Sequence, residues 1–484
     1  MAIPELTKEK VLSLIREDQM SRRKRKARVA DRYYDGKHDI LRHRIFYFNK
    51  DGKLVEDVFK SNTRISHPFF TELVEQEVQY LFSGGIKWDV QDQDLKRELE
   101  AYFNAGFLAE AKELVRRTAV VGWSYLYQYQ GADDRIHFRH ADGLGIAEYY
   151  ADGPHDTEPD AYLYYYPVTV EHGKPALRIE VWDAEKTTYY IYGNGKSIEL
   201  DPNMEMNPCP HLMYESGGKT YVEDLGHIPL FRLDNNAKRL SGLEPIKDMI
   251  DDYDMMDCGL SNNLKDIADG IYVVKGFRGT DLTELEVNLK GRRTIGVGEN
   301  GDVEIRTVNI PYEARKAKLE LDEKNIYKFG MGFNSAQVGD GNVTNVVIKS
   351  RYFLLDLKCG NMETRFRALM EKLIALVVDE INWKTGSGYR LEDIHFEMPR
   401  ETITNETDTA SIAKTEAERI QILINVALSL KDTIDDESII RKICEILDLD
   451  YDEVAKRLPE QPDNLSLVQN ALEGDTDEEV PEGS

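Results

Sequence analysis

Between residue 242 and about residue 350 the chain commits itself to a particular shape. Leu243, Ile246, Met249, Ile250, Tyr253, Met256, Leu260, Leu264 and Ile267 recur mostly three or four apart, the spacing of one helix face. A strand-like module follows over residues 270–310, punctuated by Gly276, Gly279, Gly291, Gly296, Gly298 and Gly301. Pro311 then stands where a first-turn proline belongs and opens a second helix through Ala314, Ala317, Leu321 and Met331. A polar loop rich in Gly and Asn comes next and feeds a third long helix, from about Val346 toward Ile381. Two helices closed by a small β module make a stalk with a tip, which is no shape for a catalytic pocket.

Composition narrows the function further. A chain of 484 residues is long enough for about three packed modules, and 41% apolar with 31% charged residues describes a soluble globular protein. No apolar run reaches transmembrane length and the N-terminus has no apolar leader core, so neither a membrane span nor secretion is expected. Cys209, Cys258, Cys359 and Cys444 stand apart, without a C-x-x-C pair, and read as free thiols. The net charge of −26 argues against a protein that grips nucleic acid broadly, since each neutralised phosphate calls for a Lys or Arg.

Taken in order, the chain begins with a helix from Leu6 to about Arg32 that ends in a basic run, residues 22–28. That run reads as a nucleic-acid-facing arm or, preferably, as a solvated face that neutralises a nearby acidic surface. Tyr33 to Gly36 is a turn, and residues 46–52 read as a hairpin. Ser66 or Asn62 caps a helix that stops at Ser83, Gly84 and Gly85; helices over residues 94–103 and 108–120 follow. From Gly122 to Leu233 the chain is β-rich and crowded with tyrosine, as at residues 124–129, 161–170 and 187–192. Without interleaved Arg or Lys such stripes read as sheet faces rather than base-stacking platforms. After the third stalk helix come a short strand at residues 393–398 and a small helical module. The tail from Glu460 onward has no Lys or Arg and is expected to be disordered.

The strongest lead toward enzymatic chemistry is the carboxylate group Asp251, Asp252, Asp254 and Asp257, of the kind that holds magnesium in nucleases. Asp251, Asp254 and Asp257 advance about 300° per step and drift round one stripe, with no His or Glu motif following, so a solvated acidic face is preferred. Residues 340–351 fail as a calcium loop because positions six and twelve are Asn345 and Arg351. No Walker A motif, G-x-S-x-G or Cys/His zinc spacing occurs.

The order of helix, β module, helix, loop and helix resembles the portal proteins of tailed bacteriophages, particularly those of siphophages infecting Gram-positive bacteria. Three blocks carry the resemblance further: residues 33–40 (Tyr-Tyr-Asp-Gly-Lys-His-Asp-Ile), 61–70 (Ser-Asn-Thr-Arg-Ile-Ser-His-Pro-Phe-Phe) and 73–82 (Leu-Val-Glu-Gln-Glu-Val-Gln-Tyr-Leu-Phe). It covers about residues 5–400. It implies an α+β portal fold with a wing over residues 1–241, a first stem helix over 242–268 and a clip over 269–310. A second stem helix over 311–332, a tunnel loop over 333–345, a long helix returning to the wing over 346–400 and a helical crown over 401–459 would follow.

The function it implies is structural: a homo-oligomeric ring of about twelve subunits at one capsid vertex, the conduit through which double-stranded DNA is packaged and ejected. About twelve lumen helices, each about 10 Å across, enclose a bore of about 28 Å, room for a B-form duplex. An acidic lumen suits DNA that must slide. Partners implied are the terminase large subunit, the major capsid and scaffolding proteins and a head-completion adaptor, in a particle assembled in the host cytoplasm. No catalytic residue, cofactor, metal or membrane is expected. Asn334, Ser335, Gln337, Val338, Asn342, Thr344 and Asn345 would face DNA from the tunnel loop. Lys316, Lys324 and Lys328 are candidate lumen lysines, although with Lys318 they stand equally near Glu313, Glu320, Asp322 and Glu323 for pairing across helix turns. Lys275, Arg278, Lys290, Arg292 and Arg293 would dock the terminase on the clip. Two other readings remain open: a metal-dependent DNA-processing enzyme using the Asp251–Asp257 cluster, and a non-portal capsid or tail connector.

Overall fold

A computed structural model describes residues 6–49, 51–58, 60–151, 158–170, 174–193, 197–216, 219–223, 225–267, 271–277, 297–306, 311–334, 345–401, 406–430, 433–447, 449 and 451–455. The acidic tail from residue 460 lies outside them. The fold is α+β, and its contacts divide the chain into two units: residues 1–337 with 351–402, and residues 338–350 with 403–484.

The first unit opens with two helices where one was expected, Lys8–Met20 (α1) and Arg22–Tyr34 (α2). Ser21 interrupts them with extended backbone, and its hydroxyl accepts the Lys24 N–H at 3.1 Å, so the residue that breaks one helix caps the next. After a turn at Gly36 (φ +71°) come Phe46–Phe48 (β1) and Leu54–Glu56 (β2), paired as the expected hairpin with Gly52 at φ +72°. Phe69–Leu81 (α3) has no side-chain cap. Neither residue expected to cap it does so: the Ser66 hydroxyl donates to the Gly36 carbonyl and the Asn62 amide to the His43 carbonyl. Lys87–Asp89 (β3), Gln93–Tyr102 (α4, capped by Asp92) and Ala105–Val121 (α5, capped by Asn104) complete the helical start.

Two antiparallel sheets follow. Trp123–Gln130 (β4), Ile136–Ala141 (β5) and Leu230–Asp234 form one, in the order β14–β4–β5 with Leu230–Asp234 as β14. The larger is built from Ile146–Tyr149 (β6), Ala161–Val170 (β7), Lys174–Trp182 (β8), Lys186–Gly193 (β9) and Ser197–Leu200 (β10), in the order β10–β9–β8–β7–β6. Cys209–Pro210 (β11) also pairs with β9, and Leu212–Ser216 (β12) with Lys219–Glu223 (β13) makes a separate hairpin. Tyr125, Tyr162 and Tyr165 are buried, as sheet-face residues are.

Lys247–Ile267 (α6), Ile271–Phe277 (β15), Val297–Arg306 (β16), Tyr312–Phe329 (α7) and Asn345–Thr385 (α8) come next; β15 pairs antiparallel with β16. His395–Glu397 (β17) returns to pair with β3. One core cluster collects Phe70, Leu114, Trp123, Ile246, Ile250, Ile326 and Phe366, so the body-side halves of α6 and α7 are packed into it rather than standing free. A second cluster seats Val11 and Ile15 of α1 on Leu163 and Ile179 of the larger sheet.

The second unit contains Glu406–Ser429 (α9), Asp436–Ile446 (α10) and Tyr451–Ala455 (α11). Ala427 and Ile439 are the buried centre of its small core. Asp435 caps α10 through the Ser438 N–H at 2.9 Å.

Candidate functional site

The apolar stripe read on α6 changes character halfway along. Ile246 and Ile250 are core, but the next buried positions on the same i, i+4 line are Asp254 and Cys258. The line continues through Asn262 and Asp266, and these four side chains hold an extended segment, residues 61–67, by its backbone. The Ser61 N–H donates to Asp266 at 3.1 Å, Thr63 to Asn262 at 2.6 Å, Ile65 to the Cys258 sulfur at 3.2 Å and His67 to Asp254 at 3.0 Å. The match is geometric: four helical residues rise about 6.0 Å and two extended residues span about 6.6 Å. Every second N–H of the strap therefore meets every fourth side chain of the helix.

Asp254 is the anchor of this strap and is 0% exposed, which corrects the reading of the Asp251–Asp257 cluster as a solvated face. Its second oxygen takes the His38 Nδ1 at 2.6 Å, and its first takes the His67 Nδ1 at 2.8 Å. Burial pushes the Asp254 carboxyl up, but the hydrogen bonds from His38 and His67 outweigh burial and hold it below the usual carboxylate range. The Asp254 hydrogen bond raises the pKa of His67, with Asp257 3.5 Å from its Nε2. Sequence reasoning found no histidine partner because both lie some 190 to 220 residues upstream, in the blocks at 33–40 and 61–70. Asp251 takes the Tyr33 hydroxyl and Lys247, and Asp252 takes Lys318 at 2.6 Å. Among the described residues no group of three or more His, Cys, Asp or Glu is arranged to hold a metal ion.

On α7 the residues that marked the helix in sequence, Ala314, Ala317 and Leu321, are exposed. The buried face is Asp322, Ile326 and Tyr327, fixed by the Tyr327 hydroxyl on Glu72 at 2.6 Å. Lys318 bridges Asp252 and Asp322, and Lys316 lies 3.9 Å from Glu320. Lys324 is exposed, and Lys328 stands 5.6 Å over the Phe329 ring.

The root of the following loop is clamped to α3. Gln76 accepts the Phe333 N–H at 2.8 Å and donates to its carbonyl at 2.7 Å, and Phe333 stacks on Tyr352 at 4.6 Å. Asn334 donates to Glu323 at 3.0 Å, and Asn345 opens α8. Ser335, Gln337, Val338, Asn342 and Thr344 lie outside the described residues, as do Arg278, Lys290, Arg292 and Arg293. Lys275 is exposed on β15, in register with Asp302.

The basic run is not simply a solvated face. Lys24 is fully buried, donates to the carbonyls of Gly143, Leu144 and Ile146 at 2.6 to 2.9 Å, and pairs with Asp18 at 3.0 Å. Arg23 stacks 4.8 Å over Trp123.

Residues 15–452 match the family model "Phage portal protein, SPP1 Gp6-like". The portal protein of Clostridium phage phiCD119 is 27% identical over 384 residues, 76% of this chain and 82% of the relative. The portal protein of Bacillus phage SPP1 is 26% identical over 344 residues, 70% of this chain and 66% of the relative. Among solved structures, the neck of a native GTA particle computed with C12 symmetry is similar with a TM-score of 0.36 and 13% identity, over 79% of this chain and 91% of the other.

Proposed function

The chain belongs to the SPP1 Gp6-like family of phage portal proteins, and we propose that α6 and α7 are its stem, β15–β16 its clip and residues 333–345 its tunnel loop. Portal proteins are structural components of the virion: a homo-oligomeric ring at one capsid vertex, the conduit for packaging and ejecting double-stranded DNA. The observation that carries the assignment of parts is the order α6, β15–β16, α7 and α8 among the described residues of the matched span. On this reading the ring has about twelve subunits. The clip, through Lys275, Arg278, Lys290, Arg292 and Arg293, receives the terminase and later a head-completion adaptor. The rim meets capsid and scaffolding proteins during assembly in the host cytoplasm. The crown is the helical module α9–α11.

The ion pairs of α7 bear on the lumen. Lys316 and Lys318 are engaged by carboxylates on their own chain, so Lys324 and Lys328 are the better-placed cations for passing phosphates. The clamp of Gln76 on Phe333 fixes the root of the loop assigned to the duplex. The test is packaging by particles whose portal carries Gly339→Pro and Gly341→Pro. Rings should form normally while packaged DNA is lost; normal packaging would remove the tunnel-loop assignment.

A further inference from the structure

We infer that the β1–β2 hairpin is an arm by which each subunit grips the stem helices of the next subunit in the ring. The inference rests on the ring reading above and names the surface that closes it.

The hairpin is apolar on both faces. Tyr47 faces Val55 across the strands on one side, and Phe48 faces Leu54 on the other with Phe46 beside them. All five are exposed, Phe48 at 73% and Leu54 at 60%. A two-stranded hairpin is at best marginal alone in water, and one with both faces apolar needs a cover. It is nevertheless held in place at its base. The Asn62 amide donates to the His43 carbonyl, and the strap that follows is bonded residue by residue to α6. An arm positioned in advance loses little freedom when it docks.

The occupant follows from symmetry, level and charge. A closed ring is built from a heterologous contact, in which two different patches of the chain meet. The strap places the hairpin at the β15 end of α6, because Ser61 is bonded to Asp266. Among the described residues, α6 exposes Met255 and, nearer that end, Leu264, and α7 exposes Tyr312 at its start and Leu321 at its middle. Residues 42–60 hold five basic and three acidic residues, whereas α6 holds two basic and six acidic. A basic apolar arm and the acidic α6 with its exposed apolar side chains are complementary surfaces, and in a ring of stems they belong to neighbours.

The experiment compares the full-length wild-type chain with a Phe48→Ser, Leu54→Ser variant by light scattering and negative-stain microscopy. Because both side chains are exposed, thermal unfolding of the subunit should be unchanged, while the ring fraction should fall about tenfold or more. In parallel, Phe48→Cys is combined in turn with Met255→Cys, Leu264→Cys, Tyr312→Cys and Leu321→Cys. At least one pair should give a disulfide ladder of multimers that each single variant lacks. Rings of the serine variant at wild-type yield, or rings of all four cysteine pairs without a ladder, would overturn the inference. Serine-variant rings that form but fail to enter capsids would also overturn it, assigning the arm to another protein. Failure of the wild type itself to form rings would strike the portal reading first.

Discussion

His67 gives two donors to one oxygen of Asp254, its backbone N–H at 3.0 Å and its imidazole Nδ1–H at 2.8 Å. His38 occupies the other oxygen at 2.6 Å. A buried carboxylate on α6 is thus the point where two distant segments, the turn after α2 and the strap before α3, are tied together. The hydrogen bonds go to an ionised carboxylate, which makes them stronger than neutral ones.

The tie should make stability depend on pH. The folded pKa of His67 lies above 6.5, so its contribution is fully present below 6.5 and is lost as pH rises through the folded value. That of Asp254 lies below 3.8, so its contribution is present above 3.8 and is lost as pH falls through the folded value. Stability from the pair is therefore greatest between these limits. Urea unfolding at about pH 5.5 and about pH 8.5 should show a loss in the wild type that His67→Gln largely abolishes. Equal losses in both proteins would contradict the assignment.

Removing the anchor should be costly. Asp254→Ala leaves His38 buried without its acceptor and frees the strap, and should destabilise by about 3 to 5 kcal/mol. Asp252→Ala, at an exposed pair with Lys318, should stay within about 0.5 kcal/mol. Denaturant midpoints measured side by side distinguish the two aspartates.

Lys24 sits in the basic run but acts as an internal bracket for residues 143–146. Lys24→Met strips three carbonyls and Asp18 of their partner and should cost about 2 to 4 kcal/mol. Arg25→Ala, at an exposed position, should be neutral in stability. Calorimetric melting of both variants tests this; equal effects would return the run to a solvated face.

A Cβ at Gly332 would lie 2.0 Å from Leu73 Cδ2 and 3.0 Å from the Gln76 Oε1. Gly332→Ala should therefore displace the loop root and cost about 1 to 3 kcal/mol. In a Leu73→Ala background the same substitution should cost clearly less, because the clash is gone, and a double-mutant cycle by urea unfolding measures the difference.

Element types were largely legible because Gly, Pro and apolar period announce them: Gly36 and Gly52 take positive φ where the turn and hairpin were read, and Gly122 does so where the chain passes from helix to strand. The helix pair around β15–β16 and the family resemblance followed from that order. What stayed hidden were polar groups whose partners are far away in sequence. Asp254, Cys258, Asn262 and Asp266 look like a wet helix face until residues 61–67 are laid over them. The i, i+4 repeat of hydrogen-bond acceptors below Ile246 and Ile250 was the available signal, and a hydrophobic period cannot register it. The buried face of α7 stayed hidden for the related reason that Asp322, neutralised by Lys318, is buried where Leu321 is not.

The central claim is a ring with a channel, and the most direct test is the mass and shape of the purified full-length protein by light scattering and negative-stain microscopy. The account predicts closed rings with a central hole, built from about twelve subunits of 55.6 kDa each. A compact dimer with a closed surface would contradict it.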